Sequence, residues 1–360
     1  MKFPGAAAWF ALSRRVRTLL VGLVAFVVLV VLVATLPVPY VLLSPGPTYN
    51  TLGTDDQGNT IIVIKGRTPN KTTGNLNLTT VSVSDPNAKE TVLDVLEAWL
   101  RHDEDAVPRS SVFPPGQSTQ QVDQQNTQDF TTSQDDATQA AACELGYPRH
   151  FGVTAVIGGQ ASQGKLRPDD QILSIDGNPV TSDSDLAAAL SKDAPGTAVE
   201  LGIRRLGKEQ TVDITLGKPI NGHHGGSLGV DVADVCQLPF TVDLGLGNQI
   251  GGPSAGLMFT LGIMDKVGKI DLTGGRFIAG TGEIDPSDPS QGKVLPIGGI
   301  QLKMIAARNA GATVFLAPAG NCSDVVGNIP SGLDVVKVDT VHHAVEYLQD
   351  LQHGTPVPHC

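Results

Sequence analysis

The sequence predicts an α+β fold with a single transmembrane helix near the N-terminus and a β-rich middle segment. Three observations lead to this prediction. The stretch from Thr18 to Leu36 is apolar and carries no charge. Short β-branched runs with turn residues between them fill the segment from Phe151 to Leu216. Helix-favouring runs occur between and after these strands, and 360 residues suffice for about two domains.

The apolar stretch has about the 20 residues that a membrane-crossing helix requires. We expect residues 18–38 to span a bilayer, although a cleaved signal peptide remains an alternative. Lys2, Arg14, Arg15 and Arg17 precede the stretch, whereas no Lys or Arg follows it before Lys65. The positive-inside rule therefore predicts a cytoplasmic segment 1–17 and an extracytoplasmic remainder.

The formal net charge of −11 argues against a nucleic-acid partner, which normally needs a clustered basic surface. The four cysteines, Cys143, Cys236, Cys322 and Cys360, lie on the predicted extracytoplasmic side, where disulfides persist. Three complete pairings are open, and we favour Cys236 with Cys322; buried thiols are the alternative. Their spacing lacks the paired cysteines of a zinc site.

Residues 45–149 are predicted to form an extracytoplasmic α+β segment. Thr60 to Ile64 and Leu76 to Val83 are typical of strands, and Glu90 to Leu100 is typical of a helix. From His102 to about Asp136 the chain is polar, so we expect an exposed loop or loosely packed helices there. A second helix is expected from about Ser133 to Leu145.

Residues 150–218 contain the run LRPDDQILSIDG at 166–177, preceded by a strand pattern and followed by a short helix and two strands. This arrangement resembles a bacterial PDZ domain, with Asp169 in place of the usual Gly. The resemblance implies that His150, Phe151, Gly152 and Val153 form a loop that binds a peptide carboxylate beside an open sheet edge. A PDZ domain that only packs against its neighbours is the alternative.

Residues 159–166 nearly match a phosphate-binding loop, but Leu166 occupies the position where Ser or Thr must reach the metal. We therefore reject a nucleotide site there and expect neither a cofactor nor a metal.

The sharpest chemical pattern is GGPSAGL at residues 251–257, followed by a helix-like run. Ser254 would lie at a strand-to-helix turn, where small neighbours let a substrate carbonyl approach and the helix N-terminus favours an oxyanion. A serine that merely caps the helix is the alternative.

A serine nucleophile needs a base. None of the eight histidines stands in a recognisable triad pattern. Lys303 begins an apolar, helix-favouring run, and burial would lower its pKa toward the working range. A solvated helix lysine is the alternative.

Three motifs occur in order: GPSAG around Ser254, TGEI at 281–284, and VLPIGG at 294–299, which is followed by Lys303 and by AAxxAG at 306–311. Together they resemble the proteolytic domain of Lon proteases. We place this α/β domain at residues 222–351, before a tail at 352–360. The resemblance implies a Ser254/Lys303 dyad in which Thr281 helps to hold the lysine. Gly251 departs from the Asp of many Lon enzymes, and Asp243 is only a distant substitute for that carboxylate.

The combination resembles bacterial membrane-anchored PDZ-containing Lon-like proteases, including the run SQDDA at residues 133–137. It implies an ATP-independent serine endopeptidase of the cell membrane that cleaves unfolded or exposed segments of extracytoplasmic or membrane proteins. Protein or peptide substrates, membrane lipid around the N-terminal helix and a homo-oligomer are the expected partners. A membrane-tethered, non-catalytic peptide-binding scaffold and a protease held latent until a peptide engages the PDZ domain remain alternatives.

Overall fold

A computed structural model describes residues 13–101, 103–219, 225–236, 238–246 and 250–360. The N-terminal segment up to residue 12, with Lys2, and both histidines at 223 and 224 lie outside the described residues. The helices are α1 Arg14–Ala34, α2 Val92–Leu100, α3 Arg109–Val112, α4 Thr119–Glu144, α5 Asp183–Leu190, α6 Gly256–Val267, α7 Ile300–Ala310, α8 Cys322–Val325 and α9 Val341–His353. The strands are β1 Tyr40–Asn50, β2 Ile62–Lys65, β3 Asn75–Val83, β4 Asp105–Pro108, β5 Arg149–Val156, β6 Gln171–Ile175, β7 Asn178–Pro179, β8 Ala198–Arg205, β9 Lys208–Thr215, β10 Val230–Cys236, β11 Thr241–Leu244, β12 Phe277–Gly280, β13 Glu283–Ile284, β14 Val294–Leu295, β15 Val314–Pro318 and β16 Asp334–Val338. The α+β fold class is confirmed.

The chain divides into two compact units. One comprises Met1–Pro45 and Ser82–Thr119, and the other comprises Gly46–Val81 and Gln120–Cys360. In the first unit, α1 has a mean hydropathy of 2.9 and is long and apolar enough to cross a membrane. Further along the same unit, Val95 and Ala98 of α2 pack against Ala106 of β4 in a small apolar cluster.

In the second unit, an antiparallel sheet occupies the middle of the chain in the order β10-β5-β6-β8-β9. Alternate side chains of β8 point inward, as its buried residues Val199, Leu201 and Ile203 show. Ser182 caps the N-terminus of α5 through the backbone N–H of Asp185. This arrangement agrees with the strand and helix order predicted for residues 150–218.

The last third of the chain, together with β3, builds a parallel sheet in which β12 lies between β3 and β15, and β16 follows β15. Every residue of β15 is buried, as is typical of a central parallel strand. All twelve residues of α6 are buried, because this helix is apolar around most of its circumference. The sheet and α6 supply the largest apolar core.

The helix α4 differs from the prediction for the polar stretch that ends near Asp136. It is one continuous helix of 26 residues from Thr119 to Glu144, rather than an exposed loop or loosely packed helices followed by a separate helix from about Ser133. Although the helix is polar in composition, Val122, Phe130 and four alanines are buried, together with the polar Ser133, Asp136 and Gln139. Phe130 packs against Phe259 of α6 with ring centroids 5.9 Å apart. Tertiary packing therefore stabilises a helix that local composition disfavours.

The preferred pairing of Cys236 with Cys322 is wrong. The disulfides join Cys143 to Cys236 and Cys322 to Cys360. Cys143 lies near the end of α4 and Cys236 at the end of β10, whereas Cys322 opens α8 near the end of the chain. Sequence spacing could not reveal the pairing, because it depends on how α4 docks beside β10.

Candidate active site

Ser254 lies in the loop before α6, two residues ahead of the first helical residue, Gly256. Two backbone hydrogen bonds tie this loop to the segment after β12. The Gly282 N–H donates to the Ser254 carbonyl at 2.9 Å, and the Leu257 N–H donates to the Gly282 carbonyl at 3.0 Å. The loop is therefore fixed to the sheet, and Ser254 lies within the field of a helix N-terminus.

Lys303 reaches Ser254 from α7. Its side chain is only 4% exposed. The Nζ atom lies 2.7 Å from Ser254 Oγ and 3.0 Å from Thr281 Oγ1. Burial disfavours the charged form and lowers the pKa of Lys303 to about 7. A substantial fraction of this lysine is therefore neutral near pH 7 and able to accept a proton from the serine hydroxyl.

Thr281 follows the last residue of β12 and is almost completely buried. Its hydroxyl donates to the Ser254 carbonyl at 3.0 Å and accepts a hydrogen bond from Lys303. One threonine side chain thus contacts both the serine loop and the lysine amine. The structure brings Ser254, Lys303 and Thr281 together, from three segments that are separated in the sequence.

The helix α4 supports the same loop, which the sequence reasoning did not foresee. The Gly252 N–H donates to the Asn126 carbonyl at 2.9 Å. Ser133 Oγ donates to the Pro253 carbonyl at 2.8 Å, and the Ser133 side chain is buried. Ser133 is the first residue of the SQDDA run, to which the resemblance to PDZ-containing Lon-like proteases assigns no role.

The same helix explains why residue 251 is glycine. A Cβ atom at Gly251 would lie 2.7 Å from the Cβ of Asn126, closer than two such atoms approach in proteins. An aspartate there would collide with α4. Asp243, which the sequence offers only as a distant substitute, pairs instead with Lys65 on the neighbouring strand β2. Neither of the hydrogen bonds described for Lys303 Nζ involves a carboxylate.

Two of the three histidines on α9, His342 and His343, pair with acidic side chains. His342 Nδ1 lies 2.7 Å from Glu144, and His343 Nδ1 lies 2.5 Å from Asp339. Among the described residues, no hydrogen bond joins a histidine to Ser254, and no group of three His, Cys, Asp or Glu side chains could hold a metal ion.

The predicted peptide-binding loop is not where the sequence placed it. Phe151, Gly152 and Val153 lie inside β5, which pairs with β6 on one side and with β10 on the other. Their backbone therefore cannot form an open sheet edge. The later strand β10 pairs with β5 and takes the terminal position in the sheet as described.

A group of carboxylates lies where α4 meets the β-rich middle segment. Asp135 and Asp169 both line a cavity of about 150 Å³ together with Phe240. Burial, with the nearby charges of Asp135, Asp170 and Asp136, raises the pKa of Asp169 to about 8. Burial also raises the pKa of Asp135 to about 6 and of Asp136 to about 7.

Asp169 also adopts a left-handed backbone conformation with a φ of 69°. Glycine adopts this conformation without cost, which explains why Gly is usual at this position of the PDZ pattern.

Comparison with known proteins identifies two domains. Residues 128–216 match the PDZ domain family, and residues 248–351 match the Lon protease (S16) C-terminal proteolytic domain. The chain therefore couples a PDZ domain to a Lon-type proteolytic domain, as the sequence predicted. The PDZ match begins inside α4, so its first part is the helix that supports the Ser254 loop.

Curated relatives match about a quarter to a third of the chain. The chain is 38% identical over 104 residues to the Lon protease of Campylobacter jejuni, which covers 27% of this chain and 12% of the relative. It is also 38% identical over 104 residues to the mitochondrial Lon protease homologue of Mus musculus, covering 28% of this chain and 10% of the relative. The chain thus spans about an eighth of the length of these relatives or less.

A solved structure similar to the middle segment is the PDZ domain of an SdrC-like protein from Listeria monocytogenes. It is 21% identical and has a TM-score of 0.22, covering 23% of this chain and 87% of that one.

Proposed function

We propose that the chain is a serine endopeptidase in which Ser254 is the nucleophile and Lys303 the general base. The observation that carries the proposal is the 2.7 Å contact between Lys303 Nζ and Ser254 Oγ, made by a buried lysine whose pKa is lowered to about 7. The Lon-type domain match over residues 248–351 encloses both residues.

In the proposed reaction, neutral Lys303 takes the proton from Ser254 as Oγ bonds to the peptide carbonyl carbon. Backbone N–H groups at the start of α6 would stabilise the oxyanion of the tetrahedral intermediate. The carbon–nitrogen bond then breaks, and Lys303 gives its proton to the leaving amine. Water, deprotonated by Lys303, hydrolyses the acyl-enzyme and releases the acid product with Ser254 restored.

The test compares cleavage of fluorescein-labelled casein by the full chain in detergent without ATP, for wild type, Ser254→Ala and Lys303→Met. Each substitution should lower the rate by roughly 10⁴-fold or more. Circular dichroism and the melting temperature would show that the variants are folded. Undiminished cleavage by either folded variant refutes the role of that residue, and an inactive wild type favours a scaffold.

Thr281 provides a finer test of the site. Thr281→Val removes the hydroxyl that contacts both Lys303 and the Ser254 carbonyl, and should lower kcat by about 10- to 100-fold, corresponding to about 1–3 kcal/mol. Thr281→Ser keeps the hydroxyl and should retain most activity. Equal losses in both variants would mean that the threonine acts through packing alone.

We also propose that the protease acts without ATP on unfolded or exposed protein segments. Leu166 stands at the position where a phosphate-binding loop needs Ser or Thr, so residues 159–166 do not form such a loop, which supports this view. Addition of ATP and Mg²⁺ to the casein assay should leave the rate unchanged, whereas folded proteins should be cut only in loops or tails. A rate that rises with ATP would overturn this part.

The catalytic domain is proposed to lie outside the cell membrane, with α1 as the anchor. Two disulfides favour an oxidising compartment, and Arg14, Arg15 and Arg17 at the start of α1 favour a cytoplasmic N-terminus. Proteinase K added to intact cells should degrade the C-terminal domain, as followed with an antibody to α9. If the domain resists proteinase K until the membrane is broken, the proposed orientation is wrong and the domain lies in the cytoplasm.

For the PDZ domain, we propose that an extended peptide adds to the terminal strand β10 rather than beside Phe151. Hydrogen exchange measured by mass spectrometry should show slower exchange in β10 when a cleavable peptide is added to the Ser254→Ala variant. The other terminal strand, β9, serves as the internal control. Protection of β9 alone, or of neither strand, would contradict this site.

A further inference from the structure

The helix α2 exposes a row of large apolar side chains. Leu93, Leu96, Trp99 and Leu100 are 52%, 47%, 61% and 75% exposed. Leu93, Leu96 and Leu100 recur at i, i+3 and i+7, so they share one face, and Trp99 lies one turn beyond Leu96. Exposed apolar groups this close together indicate an interaction surface.

The other side of α2 already has its core. Val95 and Ala98 are buried against Ala106, with Val38 packed beside them. The exposed row is therefore a second apolar surface that the described part of this unit leaves uncovered.

The position of α2 points to what covers this row. The Val92 N–H, at the first residue of α2, donates to the Leu36 carbonyl at 3.2 Å, and the Val38 N–H donates to the Glu90 carbonyl at 2.8 Å. Leu36 follows the last residue of α1, Ala34, by only two positions. The start of α2 is thus hydrogen-bonded to the exit of the apolar helix.

The length of α2 keeps the whole row near that exit. Nine residues extend about 14 Å, whereas the headgroup region on each side of the hydrocarbon core is about 5–8 Å thick. An α2 that lies along the surface would remain in contact with the boundary between headgroups and acyl chains. Tryptophan favours that boundary because its ring is apolar and its N–H is polar.

We propose that α2 is an interfacial helix whose row of Leu93, Leu96, Trp99 and Leu100 inserts into the surface of the bilayer that α1 crosses. The proposal rests on α1 being the membrane anchor. Insertion to a depth of about 5–10 Å is typical of such helices.

The charges of α2 specify the kind of lipid contact. Its only ionisable side chains are Asp94 and Glu97, and Glu97 pairs with Arg101 at 3.2 Å just beyond the helix. Without a basic face, attraction to anionic headgroups cannot drive the contact. Apolar insertion should therefore occur equally in zwitterionic and anionic bilayers.

Tryptophan fluorescence tests the proposal directly, because the chain contains only Trp9 and Trp99. The full chain carrying Trp9→Phe would be reconstituted in phosphatidylcholine vesicles whose acyl chains are brominated near the headgroup or near the methyl end. We expect strong quenching by the shallow bromines, weaker quenching by the deep ones and little quenching by aqueous acrylamide. Addition of phosphatidylglycerol should not change this pattern.

A matched pair of variants tests whether the row itself inserts. In the Trp9→Phe chain, Leu96→Glu places a charge within the row and should make Trp99 more accessible to acrylamide and less sensitive to bromines, whereas Glu97→Gln removes a charge beside the row and should change neither. The interfacial helix is refuted if Trp99 is accessible to acrylamide and insensitive to bromines. It is also refuted if Trp99 is shielded from both quenchers, because a protein surface such as a second copy of the chain would then cover the row.

Carbonate extraction of the same vesicles separates the two proposals. Release of the chain from the vesicles would refute the anchor, whereas retention of a chain with bromine-insensitive Trp99 would refute only the interfacial helix. Quenching of Trp99 by shallow bromines in a carbonate-extractable chain would show that α2 contacts the bilayer but would refute the proposal that α1 crosses it.

Discussion

Ser133 Oγ donates a 2.8 Å hydrogen bond to the carbonyl of Pro253, the residue before Ser254. The helix that precedes the PDZ strands therefore contacts the loop that carries the candidate nucleophile. Cys143, on the same helix, is linked by a disulfide to Cys236 of β10. These two contacts connect the terminal strand of the PDZ sheet to the Ser254 loop through α4.

We predict that Ser133→Ala lowers kcat by about 3- to 10-fold, because the loss of this buried hydrogen bond costs about 0.5–1.5 kcal/mol and loosens the Ser254 loop. KM should change little. The control is Thr131→Ala on the exposed face of α4, which removes a hydroxyl that bonds only within the helix, to the Thr127 carbonyl. Equal activities of the two variants would show that Ser133 does not position the loop.

The close approach of Gly251 to Asn126 predicts that a larger residue at position 251 collides with α4 and that a smaller residue at position 126 relieves the collision. Gly251→Asp restores the residue of many Lon enzymes but places a Cβ atom 2.7 Å from that of Asn126. Overpacking of this kind costs about 1–3 kcal/mol, so the melting temperature and the activity should both fall. Gly251→Asp combined with Asn126→Gly should recover activity, after allowance for about 1 kcal/mol lost by glycine in a helix. A Gly251→Asp enzyme with unchanged stability and activity would mean that α4 does not restrict this site.

The burial of Lys303 predicts how activity depends on pH. Because the neutral amine is the base and the pKa of Lys303 is lowered to about 7, kcat/KM should rise with pH, reach half its limit near pH 7 and then level off. Cleavage of a fluorogenic peptide between pH 5 and pH 9, with substrate stability checked in Ser254→Ala, measures the profile. A rate that falls as pH rises through 7 would contradict a lysine base.

The same lysine affects stability with a defined sign. Its pKa is about 7 in the folded chain and near 10.5 when exposed, so the unfolded chain binds more protons between these values. The contribution of Lys303 to the free energy of unfolding therefore increases as pH rises from about 7 to about 10. Lys303→Met should remove it and flatten the dependence of the melting temperature on pH over that window.

The sequence predicted which residues meet at the candidate site, because the motifs around Ser254, Thr281 and Lys303 resemble a Lon-type domain in order and spacing; the catalytic roles of these residues stay a prediction. It failed where position depends on packing between distant segments. The helix α4 is polar by composition, and tertiary contacts such as that of Phe130 with Phe259 stabilise it. The disulfides and the contacts of Ser133 depend on that same docking. The error at Phe151 arose because a strand pattern does not reveal which neighbour will pair with it.

The last prediction concerns Asp169, which combines a raised pKa with a left-handed backbone. The pKa of Asp169 is about 8 in the folded chain, against about 4 when exposed, because the carboxyl is buried beside Asp135, Asp170 and Asp136. The folded chain therefore binds more protons between these values, and the contribution of Asp169 to stability decreases as pH rises from about 4 to about 8.

Asp169→Asn keeps the shape of the side chain and removes its charge. We expect the variant to match the wild type near pH 4 and to melt at a higher temperature at pH 8. Asp169→Gly removes the same charge and also relieves the φ of 69°. Its free energy of unfolding should therefore exceed that of Asp169→Asn by about 0.5–1 kcal/mol at both pH values. Scanning calorimetry of the full chain measures both effects. If Asp169→Asn and wild type melt alike at pH 8, burial of the carboxylate carries no cost, and a Gly variant no more stable than the Asn variant would show that the backbone is unstrained.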